Sequence, residues 1–189
     1  KVGAEYSILK SLSNIIWAPI KNGIENISLS ANWMWPANNR GENARLYSAV
    51  KSVSDYAISL GVNIPTGKDS LSMTQKYPDG TKVLSPGTVI ISAAAETSDI
   101  RNVIKPAAIK DLSSELVFIN FCEGTNLSGS SFYQTLSNLG VDVTNTKGGE
   151  DIKKIFKTIQ EMIISNMIMS GHDISCLLYT SDAADDSLR

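Results

Sequence analysis

The chain has 189 residues, 42% of them hydrophobic and 19% charged, and its 17 basic and 19 acidic side chains give a formal net charge of −2. This length suits one full domain or parts of two, and the composition excludes a disordered, fibrous or collagen-like chain. Such balanced charge leaves no basic footprint for nucleic acid, and no apolar run approaches the ~20 residues of a membrane span, so neither partner is expected.

The opening Lys1-Val2-Gly3-Ala4-Glu5 is too polar for a signal peptide and lacks an initiator Met, which reads as the start of a fragment. From Tyr6 to Trp17, Leu9, Leu12 and Ile16 recur three and four apart with polar residues between, predicting an amphipathic helix that Pro19 stops. Ile27 to Ala31 alternates as a half-buried strand does, and Asn32-Trp33-Met34-Trp35-Pro36 leads into a polar loop through Gly41. The clearest helix runs from Glu42 to Leu60 on the stripe Leu46, Val50, Val53, Ala57 and Leu60, with Gly61 placed for a left-handed C-terminal cap.

Val62 to Ile64 is a short predicted strand entering a loop, Pro65-Thr66-Gly67-Lys68-Asp69. Leu71 to Tyr77 alternates again, Pro78-Asp79-Gly80 is a turn, and Thr81 to Leu84 and Gly87 to Ala95 are further strands. The β-branched run Thr88-Val89-Ile90-Ile91 places the last of these at the centre of a sheet. A polar stretch from Thr97 to Ser114, containing Pro106, marks a domain boundary. Beyond it come a strand at Leu116 to Phe121, a small-residue loop at Gly124 to Ser130, a helix from Phe132 to Leu139 ended by Gly140, a long helix from Ile152 to Met169, and a strand at Gly171 to Ser175. The segment 176–189 resembles a translated sequencing adapter, weighed against an ordinary polar C-terminal tail, and as an adapter-derived tail it would be excluded from the fold.

Two cysteines, Cys122 and Cys176, exclude a disulfide framework and fit a reducing, cytoplasmic setting. The single histidine, His172, rules out a multi-His zinc site from this chain alone. The sequons at Asn26 and Asn126 carry no weight without a secretory signal.

Gly67-Lys68-Asp69-Ser70 invites a phosphate-loop reading and fails it: Val62 stands where the first glycine is required, and Asp69 stands where Ser or Thr should follow the lysine. What is left is a candidate ligand loop of a cation, a carboxylate and a hydroxyl (Lys68, Asp69 and Ser70), weighed against a plain surface turn. In His172-Asp173-Ile174-Ser175, Asp173 and Ser175 share a face of an extended segment, a pairing that suits Mg²⁺ and a phosphate partner but equally a turn cap. Asn14 can offer a carbonyl oxygen to a metal or simply lie exposed on its helix. Trp17, Trp33, Met34 and Trp35 can stack a ligand base or fill core and interface.

Taken in order, these strings resemble one family. Ser28-Leu29-Ser30-Ala31-Asn32-Trp33-Met34, Gly41-Glu42 opening a helix, Ile64-Pro65-Thr66-Gly67-Lys68-Asp69-Ser70-Leu71-Ser72-Met73, Ser85-Pro86-Gly87 and His172-Asp173-Ile174-Ser175 look like the large single-chain phosphoribosylformylglycinamidine synthases, over essentially Lys1 to Ser175. The resemblance implies an α+β fold of the aminoimidazole ribonucleotide synthetase-like kind, from the second of two synthetase units. Residues 1–105 would be the later part of its N-terminal subdomain, a mixed sheet with helices, and 106–175 the start of its C-terminal subdomain.

The implied reaction is an ATP-dependent C–N ligation. Formylglycinamide ribonucleotide, glutamine and ATP become formylglycinamidine ribonucleotide, glutamate, ADP and phosphate in purine biosynthesis. The glutaminase and the first synthetase unit would lie in the remaining domains of the same chain, and the fragment alone would be inactive. The implied cofactors are Mg²⁺ and ATP/ADP, with Asn14 and Asp173 as metal ligands and Ser175 contacting nucleotide. Two positions depart from the family pattern: Lys10 stands where a Glu is expected four residues before Asn14, and Asn43 where an Asp is expected after Gly41-Glu42. The alternatives are a non-catalytic half that holds nucleotide structurally, and a sister kinase or synthetase of the same superfamily.

Overall fold

The computed structural model describes residues 2–107, 113–124 and 127–174. Its elements in chain order are α1 (Val2–Ile15), β1 (Ser28–Met34), α2 (Glu42–Leu60), β2 (Asn63–Ser70), β3 (Thr74–Lys76), β4 (Lys82–Leu84), β5 (Thr88–Ala94), α3 (Ser131–Thr135) and α4 (Gly149–Ile164). A three-stranded mixed sheet runs in the order β2-β1-β5, with β1 parallel to β2 and antiparallel to β5, and β3 and β4 form a separate hairpin.

One face of this sheet is apolar because β1 and β5 alternate. Leu29 and Ala31 are buried, and Val89, Ile91 and Ala93 pack beside them under the helices. α1 contributes Ala4, Ile8, Leu9 and Leu12, and α2 contributes Ala49, Val53, Tyr56, Ala57 and Leu60. α4 completes the same core from far along the chain with Ile152, Phe156, Ile159 and Ile163. Gln160 fastens it in place. Its amide nitrogen donates to the carbonyls of Ile16 (2.7 Å) and Ala18 (3.1 Å), and its oxygen accepts from the Ile20 N–H at 2.7 Å.

Several expectations hold closely. α2 has the expected bounds, and Gly61 caps it at φ 71°. The turn at Pro78-Asp79-Gly80 forms with Gly80 at φ 87°, and the Asp79 carboxylate accepts from the Thr81 N–H. α1 begins earlier than predicted, at Val2, because Ala4 extends its buried stripe. On α2, Val50 is exposed and Ala49 and Tyr56 take its place in the stripe.

Other expectations are corrected. The segment Pro65–Asp69 is not a loop but the body of β2, paired residue for residue with β1 from Thr66 to Ser70. Pro65 is accommodated because the register slips between Ser28 and Ser30, making a bulge on an edge strand where the missing N–H costs no ladder bond. β5 is an edge strand and β1 is central, so Ile90 is half exposed.

Leu116 to Phe121 forms no strand; among the described residues no strand lies beside it, and Leu116, Val117 and Phe118 are exposed. The helix predicted at 132–139 shortens to α3, and that at 152–169 becomes α4, beginning and ending sooner. Residues 171–174 are not a strand. Ser175, the sequon Asn126 and the segment 176–189 lie outside the described residues.

Candidate functional site

The sheet brings part of the Lys68-Asp69-Ser70 string together and separates the rest. Side chains alternate along β2, so Lys68 and Ser70 share the face turned away from the helices, and the Lys68 ammonium donates to the Ser70 hydroxyl at 3.0 Å. Asp69, the register partner of Trp33, falls on the opposite face. The register adds two residues the motif reading passed over: Asn32 opposite Lys68, and Ser30 opposite Thr66 on one side and Ser92 on the other. The alternation Ser28, Ser30, Asn32 is the sequence signal that marks this polar face. It offers a cation, an amide and several hydroxyls to an anionic ligand.

Gly67 pairs with Ala31 across the two parallel strands, where a Cβ would run into the Ala31 carbonyl oxygen. The tryptophans are structural. Trp35 is buried, its indole N–H donates to the Glu42 carbonyl at 3.0 Å, and its ring lies so near Gly87 that an added Cβ would stand 2.5 Å from Cζ2. Arg45 stacks over the same ring at 5.9 Å and pairs with Glu42 at 2.6 Å. Trp33 tilts against Trp35 at 6.5 Å, and Trp17 covers the backbone of Gly171.

At the other end of α1, the Asp173 side chain is 4% exposed and its carboxylate is ion-paired with Lys10. The same ammonium also donates to the Ile174 carbonyl at 3.2 Å, and His172 Nδ1 lies 3.1 Å from the second carboxylate oxygen. Asn14 is exposed one helical turn beyond Lys10. A divalent ion needs a carboxylate with lone pairs to give and further hard oxygen donors around it. Here the carboxylate is already engaged by a cation, and among the described residues no group of three His, Cys, Asp or Glu side chains is placed to hold a metal. This donor set does not fit Mg²⁺.

A second polar cluster ties the 144–147 segment to the helices, and the sequence reading did not anticipate it. Glu5 accepts from the Ser52 hydroxyl at 2.6 Å and the Thr146 hydroxyl at 2.9 Å. Tyr6 donates to the Thr144 carbonyl and Tyr56 to the Lys147 carbonyl, each at 2.8 Å. Burial raises both phenols, Tyr56 to about 12 and Tyr6 further with the Cys122 thiol beside it. These groups are spaced too far apart in the chain for any motif to reveal them.

The chain, a small mixed sheet covered on one face by helices, belongs to the FGAR-AT PurM_N-like domain family, whose match covers residues 1–96. It is 34% identical over 185 residues to the probable phosphoribosylformylglycinamidine synthase of Caenorhabditis elegans, covering 92% of this chain and 14% of that protein. Over 177 residues it is 32% identical to the probable phosphoribosylformylglycinamidine synthase, chloroplastic/mitochondrial, of Arabidopsis thaliana, covering 93% and 12%. Against the phosphoribosylformylglycinamidine synthase of Drosophila melanogaster the identity is 32% over 179 residues, covering 91% and 13%. The chain therefore spans about one seventh or less of the length of these relatives. Among the described residues no helix is long and apolar enough to cross a membrane.

Proposed function

We propose that this chain is a segment of an ATP-dependent C–N ligase that makes formylglycinamidine ribonucleotide from formylglycinamide ribonucleotide, with glutamine as the nitrogen source. The observation that carries this reading is the similarity itself, which runs through more than nine tenths of the chain to proteins named for that synthesis. In the reaction ATP phosphorylates the amide oxygen of the substrate, and ammonia then displaces phosphate from the resulting iminophosphate. The protein's part in such chemistry is positioning and neutralising charge. On this reading the polar sheet face with Lys68, Ser70 and Asn32 orients an anionic ligand, and Asp69 supports the strand from its other side.

Residues 1–105 form the later part of an N-terminal subdomain and 106–175 the start of a C-terminal one. On this reading the resemblance assigns Asn14, Asp173 and Ser175 to the end where ATP or ADP would bind. The ammonia-releasing domain and the other synthetase unit belong to the rest of a longer polypeptide in the cytoplasm. A second reading is favoured by the Lys10–Asp173 pair: this unit holds nucleotide as a structural element while turnover takes place elsewhere in the enzyme.

The test compares the 189-residue chain with a complete polypeptide that carries it. Each is incubated with formylglycinamide ribonucleotide, ATP and either glutamine or ammonia, and product is read by mass spectrometry. The complete polypeptide is expected to form product with ATP consumption, and the segment none. Absence of ATP-dependent product from the complete polypeptide overturns the proposal.

A further inference from the structure

The geometry points to Lys10 as the resident cation of the Asp173 site: its ammonium takes the place of a divalent ion, and Asp173 binds none. Asp173 is nearly sealed from solvent, whereas Lys10 is half exposed. A buried carboxylate requires a compensating positive charge. α1 supplies that charge covalently. The ammonium meets two oxygens, the Asp173 carboxylate and the Ile174 carbonyl, which are the hard donors a metal would have used. The other carboxylate oxygen faces His172 Nδ1 at 3.1 Å.

A divalent ion brought to the same carboxylate would stand within a few ångströms of the ammonium, and their repulsion scales with the ion's charge. It would also have to strip Asp173 of the partner that makes its burial tolerable. Charge neutralisation here is therefore permanent and monovalent, independent of the free magnesium concentration. The inference rests on the proposed function only for the expectation of magnesium that it contradicts. Its test needs no turnover.

The experiment titrates Mn²⁺, read by electron paramagnetic resonance of the free ion, into the chain and into Asp173→Asn and Lys10→Gln, with folding of each checked by circular dichroism. The unsubstituted chain and Asp173→Asn are expected to take up Mn²⁺ alike. Removing the ammonium in Lys10→Gln is expected to create a site at least roughly tenfold tighter, a free-energy change of about 1.4 kcal/mol. The inference is overturned by a Mn²⁺ site in the unsubstituted chain that Asp173→Asn abolishes. It is also overturned by a folded Lys10→Gln that binds Mn²⁺ no more tightly. If Lys10→Gln does not fold, equal uptake by the other two proteins still supports the inference, and unequal uptake still refutes it. Loss of ligase activity in a complete polypeptide would overturn the proposed function and leave this result standing.

Discussion

Gln160 is the side chain whose loss the fold should tolerate least for its size. It is 7% exposed and joins α4 to the three carbonyl and amide groups that follow the end of α1. Replacing it with Met keeps the volume and removes every one of these bonds. A typical hydrogen bond contributes about 1 kcal/mol net, and a buried group left without a partner costs about 1–3 kcal/mol. Two of the three bonds are fully buried. The expected loss is therefore about 3 kcal/mol, with an apolar side chain in apolar surroundings returning roughly 1 kcal/mol of it.

Urea unfolding followed by tryptophan fluorescence measures the effect. With a slope of about 2 kcal/mol/M, the midpoint should fall by roughly 1 M. Gln160→Glu sharpens the test at neutral pH. It keeps an acceptor for the Ile20 N–H but turns a carboxylate oxygen toward the Ile16 and Ala18 carbonyls, so it should destabilise more than Met. A midpoint shift below about 0.2 M for Gln160→Met, or a Glu variant more stable than the Met variant, would refute the assignment of Gln160 as the fastener of α4.

Two further outcomes follow from the same structure. Gly67→Ala drives a methyl group into the Ala31 carbonyl and should separate β1 from β2, costing about 2–3 kcal/mol by the same urea assay and speeding amide exchange in Thr66 to Ser70. Tyr56, raised to about 12 by burial, keeps its proton in the folded state while the unfolded phenol loses it near 10, so the unfolded state binds fewer protons and stability falls as pH rises from about 10 toward 12. Tyr56→Phe should flatten that fall, and an unchanged slope between the two proteins would show that this phenol is not the source.

The elements legible in the sequence were those whose information is local. α2 is bounded by a glycine with φ 84° before it and one with φ 71° after it, and a long apolar stripe lies between, so its ends could be read directly. The Lys68-Asp69-Ser70 string was recognised as chemically distinct, yet its conformation was misread, because Pro65 and Gly67 signal a loop until a partner strand is known. Only the pairing with Ala31 and Asn32 makes Gly67 a strand residue. For β5, the β-branched composition described its burial on one face and said nothing of which strand stood at the edge. The significance of Lys10 was visible as a mismatch with the family pattern. Local spacing could not show its partner, because 163 residues separate it from Asp173, and only the resemblance set the two at one site. Leu116 to Phe121 has the composition of a strand but meets a neighbour only at its end, where the Phe121 carbonyl accepts from the Lys147 N–H at 3.0 Å, since composition cannot supply a ladder.

The position of α4 also governs the order in which the molecule can be completed. The bond from Gln160 to Ile16 closes a loop of 144 residues. On a ribosome adding about 5–20 residues per second, α1 emerges with Ile8, Leu12 and Ile16 ready to pack and waits roughly seven to thirty seconds for the helix that seals them. During that interval α1 has α2 and β5 to pack against among the described elements and lacks the apolar face of α4. Late closure by a distant segment raises contact order and slows folding. Completion of this core is therefore timed by the appearance of Phe156 and Gln160 rather than by completion of the sheet.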